Sequence, residues 1–95
     1  MSYNLEFDPR ALKEWKKLGK TVQQQFKKKL KNVLEYPEIP ANKLHGFPSC
    51  FKIKLKESGY RLVYQVQNEK ITVLVIAIGK RERSKVYLQA IERIK

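Results

Sequence analysis

Cysteine, histidine and acidic side chains are scarce in this 95-residue sequence. Cys50 is the only cysteine, which excludes an internal disulfide and a thiolate metal cluster. His45 is the only histidine, so catalysis by a pair of histidines is excluded too. The longest nearly apolar run, residues 71–78, is far shorter than the roughly 20 residues of a membrane helix. The first residues also lack the pattern of a signal peptide, and we expect a soluble cytoplasmic protein with no membrane partner.

Positive charge is abundant. The sequence has 21 lysines and arginines against 9 aspartates and glutamates, a net charge of +12. Because such an excess destabilises a compact chain by self-repulsion, it indicates an anionic partner. Nucleic acid is the leading candidate, followed by an acidic protein or a membrane surface. The length fits one domain, residues 1–95. The sequence has no glycine-rich phosphate loop, no metal-ligand spacing and no nucleophile elbow.

The hydrophobic pattern predicts the order β-α-α-β-β-β-α and an α+β fold. Asp8 is the predicted N-cap of the first helix, and Thr21 with Gln24 forms a predicted capping box at the second. Ser84 is the predicted N-cap of the last helix. We expect an antiparallel sheet packed on the helical hairpin, with the helices on one sheet face.

A β-hairpin over residues 50–66 organises the chain. Its alternation predicts one apolar face and one basic face, because successive strand residues point to opposite sides. Directly opposed residues on neighbouring strands lie about 5 Å apart, so the basic face would bring its charges together. Those charges are Lys52, Lys54 and Arg61. The face is either a site for a polyanion or a solvated face whose lysines serve solubility and edge protection.

The outer faces of the two predicted helices of the hairpin are basic as well. Glu14 is the one acidic residue among these charges. Such a surface attracts a phosphate backbone through long-range attraction and counterion release. A merely solvated lysine face is the alternative interpretation. The basic residues are Arg10, Lys13, Lys16, Lys17, Lys20, Lys27, Lys28, Lys29 and Lys31.

The groups that remain for chemistry are cationic and phenolic. Cleavage of RNA by its own 2′-hydroxyl requires loss of the 2′ proton, stabilisation of charge on phosphorus and protonation of the leaving 5′ oxygen. Arginine suits the second task through bidentate contacts to phosphate oxygens. Tyr87 either stacks on a base or takes part in proton transfer, or it packs in the core with Ile91 and Ile94. The candidate set is Lys52, Lys54, Arg61, Arg81 and Tyr87.

Four stretches of the chain resemble the RelE family of bacterial toxin–antitoxin toxins. They read FDPRALKEWKKLG, ANKLHGFP, CFKIKLKESGYRLVYQV and IGKRERSKVY, and the resemblance extends over essentially the whole length. It implies a RelE/ParE-like and microbial-RNase-like fold, and a metal-independent endoribonuclease that enters the ribosomal A site of the 70S ribosome, cuts the mRNA there and stops translation. It also implies a RelB-type antitoxin as inhibitor, repression of the shared operon through antitoxin-bound operator DNA, and no cofactor besides the ribosome as activating context.

The resemblance also assigns roles to residues. Lys52 and Lys54 look like the residues that activate or stabilise the reacting phosphate, and Arg61 like the stabiliser of its transition state. Arg81 resembles the residue that assists the leaving group, and Tyr87 the one that stacks on the cut codon. His45 departs from the family pattern, in which we expect arginine. The implied contacts to RNA and ribosome are Lys13, Lys16, Lys17, Lys20, Lys27, Lys28, Lys31, His45 and Arg83.

Two other classes of function share these features. A ParE-like toxin would have the same fold but inhibit DNA gyrase, and it would not need the five candidate residues together. A non-catalytic basic module would bind nucleic acid and leave RNA intact.

Overall fold

The structure, a computed structural model, describes residues 2–44, 46, 48–80 and 85–94, with residue 85 as backbone only. It confirms the predicted element order and the α+β class. The elements are β1 (Asn4–Phe7), α1 (Pro9–Lys16), α2 (Lys20–Glu35), β2 (Cys50–Lys54), β3 (Tyr60–Gln67), β4 (Thr72–Lys80) and α3 (Lys85–Ile94). None of the helices in the described ranges has the length and hydrophobicity of a membrane span.

The four strands form one sheet in the order β1-β4-β3-β2. The pairs β2–β3 and β3–β4 are antiparallel, as predicted. β1 pairs with β4 in parallel, so the sheet is mixed and the expectation of a wholly antiparallel sheet was wrong at this edge. The reason is topological: the helical hairpin carries the chain to the far edge, and two reversals then return β4 beside β1 in the same direction.

Two apolar clusters lie on opposite faces of the sheet. On one face the hairpin of α1 and α2 buries residues such as Phe26 against Leu62 and Val75. On the other face α3 buries Val86 and Ala90, together with apolar residues of the strands. The prediction that all helices share one face was therefore wrong for α3. A central strand that is apolar on both faces, β4, requires a cover on each side.

A β-bulge in β4 adjusts which residues meet α3. Val63 pairs with Ala77, whereas the next residue, Tyr64, pairs with Val75. Ile76 is therefore the extra residue, with no partner on β3. Because a bulge shifts the alternation by one residue, Ile76 and Ala77 both belong to the α3 cluster. The bulge also sets which residues of β4 lie beside the basic face of β2 and β3.

The first helix begins as predicted and the second does not. The carboxylate of Asp8 accepts a hydrogen bond from the backbone N–H of Arg10 at 2.9 Å, and the hydrogen bond from the Arg10 side chain holds the pKa of Asp8 below its usual value. The predicted Thr21 capping box is absent, because Gly19 is the N-cap and no side chain bonds there. The link between the two helices spans only residues 17–19, so α2 begins at Lys20 and Thr21 lies within its first turn.

A buried tyrosine fastens the segment that follows α2. The Tyr64 hydroxyl donates a 2.8 Å hydrogen bond to the Pro37 carbonyl, and burial raises the Tyr64 pKa. The same carbonyl also accepts from the N–H of Ile39 at 3.2 Å, so it keeps one donor without the hydroxyl. We expect Tyr64→Phe to lower the free energy of unfolding by about 0.5–1.5 kcal/mol, the net contribution of one hydrogen bond. Urea unfolding measures this change. Tyr36→Phe is the matched control, since Tyr36 is 81% exposed and its hydroxyl should contribute little; equal losses in both variants would contradict the prediction.

Candidate active site

The basic residues of the β2–β3 hairpin meet on the face of the sheet that carries α3. Lys54 lies directly opposite Arg61, and Arg61 in turn lies opposite Gly79 of β4. Lys52 occupies the next row on the same face, opposite Val63. The predicted convergence of the three charges is confirmed at the level of strand register. Their catalytic roles stay a prediction.

Arg61 is the unusual member of this group because its side chain is buried. The residue is only 8% exposed, whereas Lys52 is half-buried and Lys54 is exposed. Its Nη1 donates a 3.2 Å hydrogen bond to the carbonyl of Tyr60. Across the described part of the chain, no carboxylate forms a salt bridge with Arg61. A guanidinium has five N–H donors and is costly to bury without an anion, so this position suits a phosphate.

The N-terminal turn of α3 lies beside the row of paired residues Lys54, Arg61 and Gly79. A Cβ built on Gly79 would lie 3.7 Å from the Cβ of Val86, which shows how closely the helix approaches the strand opposite Arg61. Tyr87 follows Val86 directly. It is half-buried and packs against the α3 cluster, so the core-packing interpretation holds for part of its side chain. The incomplete burial leaves the other part accessible to a ligand.

Three of the predicted site residues lie outside the described residues. They are Arg81 and Arg83, in the segment that joins β4 to α3, and His45, in the segment before β2. Their assigned roles remain predictions.

Seven of the predicted contacts to RNA and ribosome are lysines, which form the predicted lysine footprint. They are exposed but lie on a different side of the molecule from Arg61. All seven belong to α1, α2 or the turn between them, which cover the opposite face of the sheet from Arg61. A cleft of about 480 Å³ lies between α2 and the β2–β3 turn, lined by Lys28 and Lys29 of the helix and Lys56 of the turn. The lysines are Lys13, Lys16, Lys17, Lys20, Lys27, Lys28 and Lys31.

Other chemical groups in the described ranges do not add a reactive centre. Cys50 lies on the α3 face of β2, and burial raises its thiol pKa to about 11. The neutral thiol is a poor nucleophile, so Cys50 serves packing. No group of three or more His, Cys, Asp or Glu side chains in the described part of the chain is arranged to hold a metal ion.

The sequence reasoning missed an ion pair at the edge of β4. Glu14 of α1 and Arg93 of α3 are joined by two hydrogen bonds, of 2.8 Å and 3.2 Å. The signal was faint: Glu14 is the single acid in a lysine-rich span, and Arg93 is an ordinary residue of a terminal helix.

Comparison with known proteins identifies the family to which the chain belongs. The family model described as the ParE toxin of the type II toxin–antitoxin system parDE matches residues 5–85. The mRNA interferase toxin RelE of Escherichia coli K12 is 66% identical over 94 residues, which cover 99% of each chain. The chain belongs to the RelE family of type II toxin–antitoxin toxins.

Solved structures agree with this assignment. A double-arginine mutant of E. coli RelE in the free state is 63% identical, covers both chains fully and gives a TM-score of 0.93. RelE in the intact E. coli RelBE toxin–antitoxin complex is 66% identical and gives a TM-score of 0.84, over 86% of this chain and 100% of that chain. The resemblance stated from the sequence motifs is confirmed.

Proposed function

We propose that this protein is an mRNA interferase, a metal-independent endoribonuclease in one RelE-like toxin domain over residues 1–95. The observation that carries the proposal is the buried Arg61, which lies beside two lysines and has no carboxylate partner in the described residues. The relative at 66% identity, named an mRNA interferase, supports the same activity. A basic sheet face kept only for solubility would not bury its arginine.

The proposed reaction is attack of the RNA 2′-oxygen on the adjacent phosphorus. The 2′-hydroxyl loses its proton, the bond from phosphorus to the 5′ oxygen breaks, and that oxygen takes up a proton. The products are a 2′,3′-cyclic phosphate on one fragment and a 5′-hydroxyl on the other. Arg61 binds the phosphoryl oxygens as negative charge develops on them. Lys52 and Lys54 add positive charge beside the same phosphate, Arg81 assists departure of the 5′ oxygen, and Tyr87 stacks on the cut codon.

The ribosome supplies what this site lacks. The candidate residues include no carboxylate or histidine pair for strong general acid–base catalysis. If the ribosomal A site holds and bends the mRNA, geometry provides much of the rate enhancement and the toxin contributes charge stabilisation. The exposed lysines of α1 and α2 then bind ribosomal RNA, with little reading of sequence. This activity inhibits translation and places the protein in the cytoplasm.

A RelB-type antitoxin is the proposed inhibitor, and the toxin–antitoxin complex is the proposed repressor on operator DNA. An apolar groove of about 300 Å³ supports an amphipathic acidic partner. Its floor includes Phe7, Trp15 and Leu30, and Lys27 and Lys31 contribute positive charge to its lining. Apolar side chains of the partner would enter the groove while its carboxylates meet the lysines. An E. coli RelE mutant solved in complex with a RelB peptide supports an antitoxin segment as the partner.

The antitoxin is expected to displace α3. This helix is short and terminal, so it is the element that opens most easily. Hydrogen exchange over residues 84–94 should accelerate when antitoxin is added, while exchange in β3 slows or stays constant. Equal protection of residues 84–94 with and without antitoxin would contradict displacement.

The test of the proposed activity is cleavage of mRNA on programmed ribosomes with an empty A site, with naked RNA alongside. We expect cleavage on the ribosome and little on naked RNA, together with growth arrest when the protein is expressed without antitoxin. Intact mRNA combined with growth arrest would support a gyrase-inhibiting toxin of the ParE kind. Intact mRNA without toxicity would leave a basic nucleic-acid-binding module.

A further inference from the structure

In the described part of the chain, the C-terminal half of β4 has an edge with no neighbouring strand, and two side chains form hydrogen bonds to its backbone. β1 covers this edge only as far as the pair Phe7–Val75, after which the backbone groups of β4 lose their strand partner. The N–H of Ile78 donates instead to Glu14 Oε1 at 3.1 Å. Arg93 Nη1 donates to the carbonyl of Ile76, the bulge residue, at 2.8 Å.

These two side chains also bind each other. Arg93 Nη1 and Nη2 donate to the two carboxylate oxygens of Glu14 at 2.8 Å and 3.2 Å, in the bidentate geometry that gives the strongest ion pairs. Arg93 and Glu14 have side chains only 11% and 24% exposed, so water weakens the pair little. The pair therefore connects α1 on one face of the sheet to α3 on the other, through the edge between them.

The connection matters because α3 has few other means of staying in place. With ten residues, it is shorter than the roughly 12–15 that form a stable helix alone. Val86 and Ala90 bury an apolar stripe against the sheet, which resists lifting but resists sliding and rotation less. Arg93 adds a directional contact in the last turn. Tyr87 lies six residues earlier, about 9 Å along the helix axis.

We propose that Glu14 and Arg93 are positioning residues for the candidate active site. They fix the rotation and register of α3, and thereby hold Tyr87 against the face that carries Lys54 and Arg61. The inference rests on the proposed nuclease function for its kinetic consequence. Its structural consequence, the anchoring of α3, does not depend on that function.

The test compares Arg93→Met with Glu92→Gln in the whole protein. Arg93→Met keeps an unbranched, flexible apolar stem and removes the five donors, whereas Glu92 is the exposed neighbour on the same turn. Exchange of the α3 amides should become at least about tenfold faster in Arg93→Met and remain unchanged in Glu92→Gln. The kcat for mRNA cleavage on ribosomes should fall by between about 10-fold and 100-fold, with an unchanged KM, since a misplaced group costs rate and not ribosome affinity.

A double-variant experiment separates positioning from a general loss of stability. In a Tyr87→Ala background, Arg93→Met should cause no further loss of kcat if it acts through Tyr87. The inference would be overturned if Arg93→Met lowered kcat by the same factor in the Tyr87→Ala background as in the wild type. Unchanged hydrogen exchange of the α3 amides in Arg93→Met would overturn it too. Glu14→Gln is the milder variant in case Arg93→Met fails to fold: it keeps an acceptor for Ile78 and should give intermediate effects on exchange and kcat. A wild-type protein that does not cleave would refute the proposed function, and α3 exchange would still decide whether the pair anchors the helix.

Discussion

An Arg61→Met variant should fold at least as stably as the wild type and lose mRNA cleavage. Methionine fills a similar volume without a charge, and replacing a buried charged group by an apolar one is often neutral or stabilising. Loss of a group that stabilises transition-state charge typically costs about 10²–10³-fold in kcat. Opposite changes in stability and activity are the signature of a residue kept for function. Urea unfolding and cleavage on programmed ribosomes measure the two quantities.

The control for Arg61→Met is Gln65→Met. Gln65 lies on the same strand and the same face, is half-buried and pairs with Cys50, away from the row that contains Lys54. We expect normal cleavage from this variant. Arg61→Lys adds a second comparison: it keeps the charge but loses the planar fork, so its activity should fall between those of the wild type and Arg61→Met. Full activity in Arg61→Met would remove Arg61 from the mechanism.

The arrangement of the basic face followed from sequence because alternation is a local property. Once residues 50–66 form a hairpin, Lys54 and Arg61 must lie on one face, and the register places them opposite each other. The sequence likewise predicted that β4 is apolar on both faces. The consequence, a second helical layer formed by α3, was missed, because a pattern shows that a face is buried and not which element covers it.

The bulge and the ion pair had no local signal. Ile76 looks like any other residue of an apolar strand, and only pairing with β3 shows that it is the extra one. Glu14 and Arg93 are 79 residues apart, and their meeting depends on where β1 ends along β4. The burial of Arg61 is likewise a tertiary property, since the strand alternation that groups it with Lys54 does not say how deep it lies. Sequence reasoning therefore found the candidate charges and missed how they are supported.

The helix lysines provide the second large expected effect, because they separate a ribosome-binding surface from a solvated one. Lys28 and Lys31 are exposed and three residues apart on α2, close enough to repel each other. Replacing both by glutamine should leave the protein as stable or slightly more stable. If both contact ribosomal RNA phosphates, affinity for the ribosome should fall roughly tenfold or more at low salt, and the slope of log Kd against log salt concentration should decrease by about 2.

The matched control removes the same amount of charge from another part of the surface. Lys43 and Lys70 are exposed and belong to neither the predicted footprint nor the candidate active site. Lys43→Gln with Lys70→Gln should change ribosome affinity only slightly, since the net charge alone acts weakly at a distance in salt. Equal effects of the two double variants would mean that net charge and not a defined surface attracts the ribosome. A large effect of the α2 variant alone would assign binding to α2, while the Lys54–Arg61 row on the opposite face of the sheet carries the chemistry.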